Sequence, residues 1–166
     1  MRMRSMVASG MLAVLAGTNA GAQAAHPNFA GVWILDASRN AVQGQLGAPT
    51  SATYTITQHG DTIVGDRVAE TTETGTIKSH VVWGLDGKAW KNKIPVGDTE
   101  TEISSVLSWN QATLVIRTSL TVQETPVDQV DEWSLSADGK TLTMQRSVAA
   151  MGQDIGSSTL VFVKKN

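Results

Sequence analysis

The chain has 166 residues, the span of one domain. It has no cysteine, which excludes disulfides, thiolate metal sites and a cysteine nucleophile. Its 13 basic and 15 acidic residues form no basic cluster beyond Lys164 and Lys165. The means to neutralise a row of nucleic-acid phosphates or to dock on anionic lipid are therefore missing, and neither partner is expected.

Residues 1–24 read as a secretory signal peptide: Arg2 and Arg4 at the start, an apolar run over 6–16, and Ala22-Gln23-Ala24 as a small-x-small cleavage site. The run is far short of the about 20 apolar residues a spanning helix needs. The expected product is a domain of residues 25–166, periplasmic or secreted, with no membrane insertion once the signal is removed. Losing Arg2 and Arg4 leaves 11 basic residues and a formal charge of −4.

The domain opens with a predicted strand over 29–35, which Asp36, Ser38 and Asn40 break, since these residues favour caps and turns. Residues 41–49 read as loop, with Gly44, Gly47 and Pro49 and a turn of helix near 38–42. Strands then recur at short intervals. In 52–58, Tyr54 and Ile56 alternate with threonines, the mark of a half-buried strand. Further strands are predicted over 62–71, 74–85, 89–94, 99–109, 112–122, 130–135, 141–148 and 157–165. Asp86-Gly87 and Asp138-Gly139 are hairpin signals, Gly65 marks a bend, and Pro126 and Asp128 are read as a connection. Val81, Trp83 and Leu85 share a face, as do Leu114, Ile116 and Leu120, and Leu142, Met144 and Val148.

Even spacing, tight turns and no amphipathic helix predict an all-β, antiparallel up-and-down barrel of about eight to ten strands, because closure removes exposed edges. A two-sheet sandwich is the alternative, with 37–50 as the one connection long enough to cross between sheets.

Gly31-Val32-Trp33 resembles the Gly-x-Trp signature of lipocalins and their calycin relatives. The run from Asn28 to Asp36, Asn-Phe-Ala-Gly-Val-Trp-Ile-Leu-Asp, is more closely similar to the opening of small secreted bacterial lipocalin-like proteins. Asp86-Gly87-Lys88, Trp109-Asn110 followed by Thr113 to Ile116, and the stretch Glu132 to Thr143 extend the likeness over nearly all of the mature chain. The resemblance implies a barrel with a cavity for a small apolar or amphipathic ligand. It also implies a structural signature in which Gly31 and Trp33 sit at the closed end under a basic side chain from near the last strand. A ten-strand meander brings the end of the last strand beside the start of the first, so Lys164 is the expected neighbour and Arg146 the alternative. The absence of cysteine departs from the many secreted lipocalins that pin their C-terminal segment with a disulfide.

Candidate ligand contacts are Trp83 and Trp109, as aromatic walls or equally as core packing, Arg67 and Arg117, as carboxylate anchors of the kind used in fatty-acid-binding barrels, and His80. Arg117 is out of phase with Leu114, Ile116 and Leu120, and falls outside if those face inward. His80 could ligate a haem iron or stand on the outer wall, whereas His26 and His59 read as solvated. No paired-histidine spacing supports a metal, and no Gly-x-Ser-x-Gly elbow occurs. The acidic groups Asp98, Glu100 and Glu102, and Asp128, Asp131 and Glu132, read as solvated strand faces rather than an acid–base pair. No cofactor and no enzymatic activity are expected. The expected function is binding of a small hydrophobic or amphipathic ligand near the mouth under residues 37–50. The alternative is a non-catalytic structural or interaction barrel whose interior is filled by side chains.

Overall fold

The computed structural model describes residues 26–72, 74–97 and 99–166; the predicted signal peptide and Asp98 lie outside them. The strands are β1 Gly31–Leu35, β2 Ala41–Gly44, β3 Ser51–His59, β4 Thr62–Thr71, β5 Gly75–Gly84, β6 Ala89–Val96, β7 Thr99–Asn110, β8 Thr113–Val122, β9 Thr125–Leu135, β10 Thr141–Ala150 and β11 Gln153–Lys164. They form one antiparallel sheet in the order β5-β4-β3-β1-β11-β10-β9-β8-β7-β6. It curls into a nearly closed up-and-down barrel, in which most strands alternate an inward row with an outward one.

Two sequence expectations are corrected. Residues 41–44 are not loop: β2 pairs with Gly156 to Thr159 of β11. The residues of β2 are all exposed, so no apolar alternation betrays the strand. What permits it is close backbone approach: a Cβ on Gly44 would lie 2.5 Å from the Ile155 carbonyl oxygen, and one on Gly156 would lie 2.5 Å from that of Gln43. Pro126 and Asp128 also lie inside a strand rather than in a connection. The β8–β9 hairpin turns at Gln123 and Glu124, both at positive φ (47° and 68°), and Pro126 takes the second position of β9, beside that turn. A short 3-10 turn, Ala37–Arg39, follows β1.

The floor of the barrel is aromatic. Trp33 and Phe29 are fully buried, and the Trp33 indole Nε1 donates to the Phe29 carbonyl at 2.9 Å. Phe29 packs face-on to Trp109 and edge-on to Trp133, while His26 stacks on Trp109 with ring centroids 4.2 Å apart. From outside, the Lys164 ammonium lies 5.2 Å from the centroid of the Trp33 ring, since antiparallel pairing sets Trp33 opposite Lys164.

The barrel is incompletely laddered between β5 and β6, the two ends of the sheet order. There the Asn92 side chain stands in for a strand: its Oδ1 accepts from the Val82 N–H at 2.8 Å and its Nδ2 donates to the Val82 carbonyl at 2.9 Å. Asn92→Leu is expected to leave both Val82 groups unpaired and to cost about 1–3 kcal/mol in urea unfolding, with faster hydrogen exchange at the Val82 amide. An unchanged exchange rate there would show that the side chain does not hold the seam.

Candidate ligand cavity

Two adjoining chambers occupy the barrel above its aromatic floor. The inner one, of about 230 Å³, is walled by Tyr54, Trp83, Ile103, Leu120, Trp133 and Met144 among others. The outer one, of about 360 Å³, lies beneath the segment from Leu46 to Pro49 and is bordered by Thr71, Thr74, Val148 and Ser158. Arg67, Gln129 and Arg146 line both chambers together with Ile77 and Leu160, so a layer of three polar side chains marks the boundary between a largely apolar interior and the mouth.

Strand parity builds this layer. Arg67 follows Ile63 and Gly65 on the inward row of β4, Asp131 and Gln129 precede Trp133 on that of β9, and Arg146 follows Leu142 and Met144 on that of β10. Arg146 and Asp131 are directly opposed across the β9–β10 ladder. The Arg146 Nε donates to Asp131 Oδ1 at 2.7 Å and its Nη2 to Oδ2 at 3.3 Å, a two-pronged charged contact. Gln129 Nε2 donates to the same Oδ2 at 2.6 Å, so Asp131 is fully engaged.

Arg67 differs. Among the described residues it has no ion-pair or hydrogen-bond partner, and its Nε is buried unpaired. Burial pushes its guanidinium below the ordinary arginine value, with the nearby Arg146 charge adding to the effect. Burial alone would lower Arg146 too, but the Asp131 carboxylate overrides it and the net direction is up. Burial raises the Tyr54 phenol far above its usual range, so Tyr54 stays a neutral hydroxyl. Two guanidinium groups and one carboxylate leave the layer with one uncompensated positive charge, carried by Arg67.

Of the sequence candidates, Arg67 and Trp83 line the cavity. The other three do not. His80 stands on the outer wall with its side chain 62% exposed and Nδ1 2.7 Å from Asp66 Oδ1, because it is out of register with the inward Val81 and Trp83. A haem inside the barrel would not reach it, which corrects that reading. Arg117 is exposed on β8 between the buried Ile116 and Thr118. Trp109 belongs to the floor, between His26 and Phe29. The predicted sites omitted Tyr54, Gln129, Asp131 and Arg146. The usable signal for Arg146 was phase: it completes the row of Leu142, Met144 and Val148.

Among solved structures, the chain is similar to a Schistosoma mansoni fatty acid binding protein in complex with arachidonic acid, at 16% identity, covering 83% of this chain and 96% of that one with a TM-score of 0.50. It is also similar to secretory abundant heat soluble protein 4 from Ramazzottius varieornatus, at 8% identity, covering 83% and 95% with a TM-score of 0.51. At these identities the likeness establishes a calycin-like barrel fold and nothing finer. No protein-family model matches the sequence, and no curated protein matches it.

Proposed function

We propose that the protein is an exported lipocalin-like binding barrel for an amphipathic monoanion, whose carboxylate is neutralised by Arg67 while its apolar body fills the inner chamber. One observation carries the reading: a half-buried guanidinium whose buried Nε has no hydrogen-bond partner, beside a largely apolar void. A partly desolvated charge without a counter-ion opposes folding, and a ligand carboxylate would complete the pair. The barrel fold shared with a fatty acid binding protein supports the same reading, and an open interior weighs against the side-chain-filled alternative.

The test is titration of the domain 25–166 with carboxylates and their uncharged amides, followed by tryptophan fluorescence, to which Trp83 and Trp133 on the cavity wall contribute. Carboxylates should bind tighter than amides. Arg67→Met should weaken them about 10- to 100-fold, the worth of a charge-assisted contact, while leaving the empty protein as stable as before or more so. Equal affinity for acid and amide, or indifference to Arg67→Met, would overturn the proposal. The export reading predicts that protein recovered from its host begins at Ala25; an intact N-terminus on the recovered protein would refute it.

A further inference from the structure

Within the monoanion reading, on which this step rests, we infer that the ligand is a compact ring-bearing carboxylate and not a long-chain fatty acid. Size is the first argument. A dry cavity of about 150 Å³ admits benzene, so an inner chamber of about 230 Å³ accommodates a body of about nine or ten non-hydrogen atoms, the scale of an indole or a phenylpropyl group. A longer chain has to pass the charged layer of Arg67 and Arg146 into the outer chamber, where Thr71, Thr74 and Ser158 interrupt the apolar wall of Leu46, Pro49 and Val148.

Shape is the second argument. Three aromatic side chains border the inner chamber: Trp133 meets Tyr54 edge-on at a centroid distance of 5.5 Å and Trp83 edge-on at 5.8 Å. A flat ring extends such an edge-to-face array, and it enters without the torsional freezing that an alkyl chain of equal volume undergoes. Because Arg67 borders both chambers, the carboxylate lies towards the mouth and the ring towards the aromatic floor.

Isothermal titration calorimetry of the domain with 3-phenylpropanoate, indole-3-propanoate, octanoate and hexadecanoate tests this directly. The two ring-bearing acids should bind at least tenfold tighter than either linear acid, and Arg67→Met should weaken that binding about 10- to 100-fold. Hexadecanoate or octanoate binding as tightly, still dependent on Arg67, overturns the compact-ring inference and leaves the monoanion reading standing. Failure of every carboxylate to bind the folded protein overturns both.

Discussion

Trp33→Ala is expected to bring the domain close to unfolding at room temperature, with a loss of about 3–5 kcal/mol against a typical total of about 5–15 kcal/mol for a single domain. Three losses combine. The indole is fully buried, so its removal leaves a large void in the floor. Its Nε1 is the donor to the Phe29 carbonyl, which is left unpaired. Its outer face carries the Lys164 ammonium, a contact of about 0.5–1 kcal/mol at a partly exposed site. Lys164→Met should therefore cost only that last increment. Gly31 completes the device: it adopts φ +149°, and a Cβ there would meet the Lys164 side chain at 2.7 Å, so glycine lets the lysine lie across the strand. Urea unfolding checks the ranking, with the midpoint falling and the slope unchanged. Should Trp33→Ala fail to fold, Trp33→Phe, which keeps a ring but loses the donor, should show an intermediate midpoint. A loss below about 1 kcal/mol for alanine would remove Trp33 from the role of keystone, since even an ordinary core truncation exceeds that.

How far the sequence reveals this molecule depends on what kind of signal each part emits. Alternation is a backbone property, and it made the strands from Ser51 onward readable, together with the antiparallel closure that sets Trp33 opposite Lys164. β2 has no buried row, so it emitted no signal. Its pairing depends on glycines, Gly44 and Gly156, whose close approach is visible only once both strands are placed. The site was half legible for a related reason. Arg67 and Trp83 could be named as inward candidates, and the phase of Arg117 already implied the outer wall. Asp131 was read with its acidic neighbours Asp128 and Glu132, yet it alone of the three is buried. One-residue parity separates it from Glu132, and its charge partner sits on another strand. Composition cannot tell a solvated carboxylate from one held by a guanidinium across a ladder.

That pair supports the last expected result. Asp131→Leu should destabilise the barrel by about 3 kcal/mol, because removing one partner of a buried pair strands the other charge. The low end of the usual range applies, since the Arg146 side chain is 32% accessible and its charge is partly hydrated. Adding Arg146→Met to Asp131→Leu should restore most of the loss, because apolar replacement of both partners is close to neutral. A double-mutant cycle in urea reads the coupling, and additive losses would show that the two side chains do not depend on each other. Asp131→Asn tests the same pair in binding: it keeps an acceptor for Arg146 while raising the net charge of the layer from one to two. Anion affinity should then rise, and an aryl phosphate dianion should begin to compete with the carboxylate, the reverse of Arg67→Met. The two changes have opposite signs on both axes. Losing Arg67 weakens binding without destabilising the empty barrel, whereas losing the Asp131 charge weakens the barrel and strengthens its hold on anions. A residue that merely packed the interior would move stability alone, so this crossed pattern separates a layer built for a charged ligand from one built for the fold.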